Sequence, residues 1–307
     1  MKILKLPLAR SAVDRAGHLR SDEQALANAW ANARIIHFNG EAFLLENGAL
    51  RYLSAGQIPE HGERIYLGEH EGQNYFLWCA TSELAPGAEA SDYRTLRAAG
   101  HQLSDIENGL AVHAQAVAHW HHATPFCTTC GGALAPAQAG STRVCIDNGH
   151  EHFPRTDPAI IVLTKDKDDR ILLGRQKVWP EHRFSCFAGF VEPGESFEHC
   201  VAREVGEESG VNVSDIFYLG SQPWPFPASI MIAFQAVTDN PDSARPDGEE
   251  IEQVRWFTRA SMKEAVAAKT LLLPTPISVA RKMIEAWFVD DKNFTAADLN
   301  TAESWRP

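Results

Sequence analysis

Residues 189–211, GFVEPGESFEHCVAREVGEESGV, constrain this chain more than any other stretch. From Ser196 onward the string reads as a short helix. Ser196 suits an N-cap, Phe197, Val201 and Val205 recur every four residues on one apolar face, and Gly210 can close the C-terminus. The carboxylates lie elsewhere on the cylinder. Glu204 and Glu208 are four apart with Glu207 beside them, so three acidic side chains crowd one side of a single turn. Like charges at this spacing cost about a few tenths of a kcal/mol each in an isolated helix. A hard divalent cation, Mg²⁺ or Mn²⁺, is the natural partner for such a group. Taken alone, an acidic run is equally what a solvated helix face looks like, so the surrounding string has to decide.

The chain has 307 residues, enough for two ordinary domains and a small module. With 44% hydrophobic and 22% charged residues it has the composition of a globular protein rather than a disordered one. No apolar run reaches membrane-spanning length, and MKILKLPLAR has too short an apolar core for a signal peptide, so a cytoplasmic protein without membrane partners is expected. The net charge of -12 argues against broad binding to nucleic acid, which depends on clustered Lys and Arg. It leaves room for a phosphorylated substrate met by metal ions at one site.

Residues 1–122 are expected to form an α+β domain. Residues 33–45 read as two strands around Asn39-Gly40, a hairpin signal, and residues 64–67 and 74–80 repeat the strand pattern. From Tyr93 through Trp120 the pattern turns helical. No catalytic motif is visible here, and a packed scaffold is the expected role, with substrate binding or dimerisation as the alternative. His119, His121 and His122 close the helix; neighbouring helical residues point in different directions, so a polar helix end is expected rather than a metal site.

Residues 123–156 form a second module. Cys127-Thr128-Thr129-Cys130-Gly131-Gly132 is a Cys-x-x-Cys knuckle, and Cys145 follows beyond a Gly/Ala/Pro-rich tip. A structural zinc needs a fourth ligand, and the usual second Cys-x-x-Cys is missing. His150 is the better candidate by spacing, with His152 second. Without metal the same segment would be a degenerate ribbon held by packing. Cys79, Cys186 and Cys200 occur singly and read as buried small residues.

Residues 157–290 make the third domain, followed by a tail over 291–307. Strands are expected at 157–164, 171–175, 184–191, 218–222, 229–237 and 254–257, and a last helix at 277–288. Residues 221–229, SQPWPFPAS, hold three prolines that fix the backbone and leave Trp224 and Phe226 little freedom. Rigid aromatic faces suit flat heterocycles, and stacking is worth about 1 to 3 kcal/mol per base.

Gly189, five residues, Glu195, seven residues and then REVGEESGV from Arg203 to Val211 together resemble the Nudix box at every specified position. The box, the small ribbon before it and SQPWPFP after it are similar to the NADH pyrophosphatase family of Nudix hydrolases, over nearly the whole chain. The resemblance implies an α/β fold, the Nudix α/β/α sandwich, accompanied by a zinc-ribbon-like module and the N-terminal α+β domain. It implies hydrolysis of the pyrophosphate bond of NADH, and less readily of NAD⁺, to nicotinamide mononucleotide and AMP. Removal of the NAD cap from RNA 5′ ends and a homodimer are implied as well. The ribbon departs from the family pattern in lacking its last Cys.

Residue roles follow from the same resemblance. The Mg²⁺ or Mn²⁺ ligands would be Glu204, Glu208 and Glu250, with the backbone carbonyl of Ala188; Glu249 and Glu252 are the fallbacks for Glu250. Glu207 would serve as a further ligand or as the base acting on the attacking water. Arg203 would pair with Glu195 and orient the acidic cluster. Substrate contacts would come from Phe153, Phe190, Gln222, Pro223, Trp224, Pro225, Phe226, Pro227, Ala228, Ser229 and Ala280, and the zinc ligands would be Cys127, Cys130, Cys145 and His150.

Two other classes compete. A Nudix-fold sensor that binds NAD or ADP-ribose commonly loses box carboxylates, and here all are present. A hydrolase of ADP-ribose or dinucleoside polyphosphates would share the box but not the aromatic motif's preference.

Overall fold

A computed structural model describes residues 3–299, so residues 300–307 of the tail lie outside the described residues. The chain divides into two compact units. Of the described residues, one comprises 8–156 together with 223–229, and the other comprises 3–7, 157–222 and 230–299.

In the first unit, helix α1 (Glu23–Ala31) precedes β1 (Arg34–Phe38), β2 (Phe43–Glu46), β3 (Ala49–Leu50), β4 (Glu63–His70) and β5 (Gln73–Cys79). The sheet order is β3-β2-β1-β5-β4, and β6 (Tyr93–Arg94) adds to β2. The turn at Asn39-Gly40 works as the sequence predicts: the Asn39 carboxamide accepts from the N–H groups of Glu41 and Ala42. The helical stretch expected from Tyr93 onward is interrupted. Tyr93-Arg94 is a strand, α2 (Leu96–Ala99) is one turn, and α3 (Asp105–Ala123) restarts at Ser104. Ser104 and Glu107 form a reciprocal capping box there, which stabilises a new helix start more than continuation through Gly100 could. His121 is buried, not part of a polar helix end: its ring nitrogens meet Glu63 at 3.1 Å and the Gly140 carbonyl at 2.8 Å. A small sheet of β7 (Leu134–Ala137), β8 (Thr142–Cys145) and β9 (Glu151–His152) completes this unit.

The second unit is built on β10 (Asp157–Lys165), β11 (Ile171–Gln176), β12 (Phe187–Phe190), β13 (Val213–Trp224), β14 (Ser229–Thr238) and β15 (Ile251–Phe257). The sheet order is β13-β14-β10-β11-β15, with β12 paired to β10. Strand β10 shows why helices cover both faces. Ile160 and Val162 join one core with Cys200, Val201 and Val205 of α4 (Phe197–Ser209), while Ile161 and Leu163 join the other with Met262 and Val266 of α5 (Arg259–Ala267) and Met283 and Ile284 of α6 (Val279–Phe288). Alternate side chains of one strand therefore enter two cores, which makes the strand read as a continuous apolar run. The result is the expected α/β/α sandwich. Helix α5 escapes the sequence reading because its buried positions, Met262, Ala265 and Val266, are few. Of the tail, Leu299 is buried and Phe294 packs on the same core.

Among the described residues no helix is long and apolar enough to cross a membrane.

Candidate active site

Helix α4 carries the acidic group as its caps dictate. Ser196 accepts from the N–H of His199 at 3.2 Å, and Gly210 ends the helix at φ 71°, a left-handed conformation that suits glycine. One expectation fails: Phe197 is 41% exposed, so the buried stripe is Cys200, Val201, Val205, Glu208 and Ser209. Phe197 is the first residue of the helix, where the cylinder has not yet met the sheet.

The three box carboxylates therefore sit in different environments. Glu207 is exposed, Glu204 is half-buried and Glu208 is only 5% exposed. Burial pushes the Glu208 carboxyl up to about 8, and the charges of Glu250, Glu204 and Asp247 push the same way, against a hydrogen bond from the Ala188 backbone. Burial also raises Glu204, countered by Arg203 and reinforced by Glu207 and Glu250. A buried acid with three carboxylates around it holds a proton until a cation arrives. That donor set, all oxygen, fits a hard divalent ion.

Arg203 organises the entrance to this group. Its Nε and Nη2 donate to the two oxygens of Glu195 at 2.8 and 2.9 Å, and its Nη1 to Glu204 at 2.8 Å and Glu207 at 3.3 Å. The bidentate pair with Arg203 pulls Glu195 down to about 2. Nη2 also reaches the carbonyl of Phe190 at 3.0 Å, tying the helix to the end of β12.

Glu250 sits just ahead of β15. Gln176 Nε2 donates to it at 2.5 Å, and Asp247 holds its loop by accepting from the N–H groups of Glu249, Glu250 and Ile251 at 3.0, 3.4 and 2.8 Å. Neither Asp247 nor Gln176 is evident from the sequence, although an Asp three residues ahead of a candidate ligand is a known turn-forming signal. Of the two fallbacks, Glu252 is engaged by Arg175, and Glu249 is not among the charges acting on Glu208.

The other sequence-predicted positions divide between the two units. Phe190 and Ala280 belong to the hydrolase unit; the first is 61% exposed and the second is fully buried at the start of α6. Gln222 is buried there too, and its amide donates to the Ile277 carbonyl at 3.0 Å. Phe153 and the run from Pro223 through Ser229 belong to the other unit. Phe153 is exposed, Pro225 is buried, Pro227 is exposed, and Pro223, Trp224, Phe226, Ala228 and Ser229 are half-buried. Trp224 and Phe226 meet edge to face at 4.9 Å and 72°. The buried Gln115 of α3 donates to the Pro225 carbonyl between them at 2.7 Å, and the Arg97 guanidinium lies over both rings.

In the ribbon, Cys127, Cys130, Cys145 and His150 offer ligand atoms that all lie within 4.8 Å of one another. The Cys127 sulfur is 3.4 Å from His150 Nδ1 and the Cys130 and Cys145 sulfurs are 3.5 Å apart. Those spacings approach the edges of a tetrahedron around zinc, about 3.5 to 3.8 Å for Zn–S bonds of about 2.3 Å. At Cys127 burial acts upward, but the N–H groups of Cys130 and Thr129 with His152 and His150 outweigh it and bring the thiol down to about 5. A thiolate ready at neutral pH is what a metal ligand requires. His152 Nε2 lies 3.3 Å from the same sulfur but outside the four-residue group. Among the described residues no other group of three or more closes to this spacing; the box carboxylates are more open.

Three family models match this chain. The model of the NUDIX domain matches residues 154–274, that of the NADH pyrophosphatase-like rudimentary NUDIX domain matches 32–120, and that of the NADH pyrophosphatase zinc ribbon domain matches 122–153. A protein of Mycobacterium bovis named NAD-capped RNA hydrolase NudC is 41% identical over 297 residues, covering 91% of this chain and 94% of that one. The protein of the same name from Mycobacterium tuberculosis has the same identity and coverage. Human NAD-capped RNA hydrolase NUDT12 is 38% identical over 198 residues, 61% of this chain and 43% of the human protein.

Proposed function

Because the chain belongs to the NudC family of Nudix hydrolases, we propose that it hydrolyses the pyrophosphate bond of NADH and NAD⁺, and removes NAD caps from RNA 5′ ends. Water adds to one phosphorus, the bridging P–O bond breaks, and nicotinamide mononucleotide and AMP, or a 5′-monophosphate RNA, leave. The observation that carries the reading is the buried Glu208, on which the charges of Glu250, Glu204 and Asp247 act together against a single backbone hydrogen bond from Ala188, an arrangement that a divalent cation would relieve.

When bound, Mg²⁺ or Mn²⁺ ions would neutralise the pyrophosphate oxygens and lower the pKa of a coordinated water. Glu204, Glu208 and Glu250, with the carbonyl of Ala188, are the proposed ligands. Glu207, exposed and in 3.3 Å contact with Arg203, is placed to act as a further ligand or to take the proton of the attacking water. Arg203 keeps the cluster in register through Glu195. Phe153, Phe190, Ala280 and the segment 222–229 are proposed as substrate contacts. The zinc of the Cys127, Cys130, Cys145 and His150 group is structural.

The domain division follows the same reading: 1–122 scaffold, 123–156 ribbon, 157–290 hydrolase and 291–307 tail. A cytoplasmic homodimer is the proposed working form. The test is steady-state hydrolysis of NADH, NAD⁺, ADP-ribose and NAD-capped RNA with Mg²⁺ or Mn²⁺. Preference for NADH or capped RNA supports the proposal, and preference for ADP-ribose overturns the substrate assignment. Glu208→Gln is expected to lower kcat at least about a hundredfold without unfolding the protein; near-normal turnover would remove Glu208 from the site.

A further inference from the structure

Arg97 is a cation of the N-terminal unit to which the proposed chemistry gives no task. It projects from the single turn of α2, anchored by the buried Leu96 and Ala99 on either side of it. Its guanidinium carbon lies 3.9 Å from the ring centre of Phe226 and 5.1 Å from that of Trp224. Those rings are held in turn: the Phe226 N–H donates to the Trp224 carbonyl at 2.7 Å, and Gln115 holds the Pro225 carbonyl between them. A guanidinium held over an aromatic ring keeps its N–H donors, since the ring face offers attraction to the charge without taking them all.

No described residue takes those N–H groups. Arg97 forms no ion pair and no hydrogen bond among the described residues, in a chain of net charge -12 where carboxylates are plentiful. Partial burial lowers its proton affinity, with no carboxylate acting to raise it. Arg203 is claimed by Glu195, Arg259 by Asp169 and Arg281 by Glu285, whereas Arg97 has only the two rings of the motif. An exposed cation set against aromatic rings, with N–H donors that no described residue claims, matches a phosphate oxygen pair. Stacking surface and phosphate donor side by side match a nucleotide.

We propose that Arg97, with Trp224 and Phe226, forms a phosphate-binding subsite for the RNA chain that follows the NAD cap. The proposal rests on the substrate reading above, in which the 222–229 segment meets the substrate. An acidic protein cannot hold RNA through a broad positive surface, so its grip must come from discrete cations, and Arg97 is one placed on a surface suited to bases. Free NADH has no phosphodiester beyond its pyrophosphate, so the subsite separates the two substrates.

The test uses the full-length protein, NADH, and an NAD-capped RNA of about ten nucleotides, across a range of salt concentrations. Arg97→Gln removes the charge and keeps the length; Arg97→Lys keeps the charge and loses the planar fork. Whatever Arg97→Gln does to NADH hydrolysis, kcat/KM on the capped RNA is expected to fall about tenfold further, the worth of one charged contact. The salt dependence of capped-RNA binding should fall by about 0.7 in log–log slope, one phosphate contact to a single strand. Arg97→Lys should restore that slope. Equal losses on both substrates, or an unchanged slope in Arg97→Gln, would overturn the subsite while leaving the hydrolase reading intact. A wild-type protein that cleaves NADH but not capped RNA overturns the subsite and the decapping reading together, and one that cleaves neither overturns the hydrolase reading as well.

Discussion

Gly189 and Glu204 share space that leaves no room for one more carbon: a Cβ built on Gly189 would lie 1.9 Å from the carboxylate carbon of Glu204. Gly189 sits opposite Ile160 in the β10–β12 ladder, so its backbone cannot retreat without breaking that pairing. Gly189→Ala is therefore expected to displace Glu204 rather than the strand. NADH hydrolysis should fall about a hundredfold, the scale of losing one electrostatic group, while the thermal midpoint changes little. Kinetics and a melting curve on the same preparation check both halves; a retained kcat would mean that Glu204 can act from another rotamer.

Glu208 ties metal affinity to pH. Its carboxyl is raised to about 8 in the metal-free protein, far above an ordinary carboxyl of about 4.3. Between those values the unfolded chain is ionised and the folded one still holds the proton, so the folded state binds more protons. Stability of the metal-free protein should then fall as pH rises from about 5 to 8. Because the ligand form is the carboxylate, Mn²⁺ binding should tighten over the same range, by up to about tenfold per pH unit. Melting curves with and without Mn²⁺ at several pH values measure both trends, and Glu208→Gln should flatten both. A pH-independent melting point in the metal-free wild type would contradict the assigned burial.

Much of this site was legible because its signals are local. Ser196, Gly210 and the acidic triplet lie within one helix, and the caps formed as their residue types dictate. What escaped the sequence depends on contacts between distant segments. Gln176 reaches Glu250 across 74 positions, and Gln115 reaches Pro225 across 110. An isolated Gln on a strand or helix carries no motif, so neither could be singled out. Phe197 misled for the opposite reason: its spacing fits the buried stripe, but spacing cannot tell where a helix first meets its sheet. The α/β/α layering was what the family resemblance implied, and the apolar run at 157–164 reads as it does because the strand's alternate side chains enter two cores.

Zinc should belong to His150 and not to His152. The four-residue group includes the first and omits the second, although His152 lies 3.3 Å from the Cys127 sulfur. One zinc per chain is expected by elemental analysis. His150→Ala should lose most of it and lower the melting point by at least about 2 °C, as expected for the loss of more than about 1 kcal/mol in a unit of this size. His152→Ala should keep the metal. Retention of zinc in His150→Ala but not in His152→Ala would exchange the two roles.

Gln115 offers a way to disturb the aromatic motif without touching an aromatic ring. Its side chain is buried and its amide satisfies the Pro225 carbonyl at 2.7 Å. Gln115→Leu has similar volume and no donor, leaving that carbonyl unpaired at a cost of about 1 to 3 kcal/mol. The motif can recover hydrogen bonding only by shifting, and a shift would move Trp224 and Phe226 together, since they contact each other. The expected result is a KM for NADH raised about fivefold to tenfold, with a smaller change in kcat, because the metal ligands lie on other segments. Trp224→Ala should reproduce the KM effect, and the double variant should add little to either single one, since both act on one surface. Additive losses in the double variant would instead mean that Gln115 supports the fold independently of substrate binding.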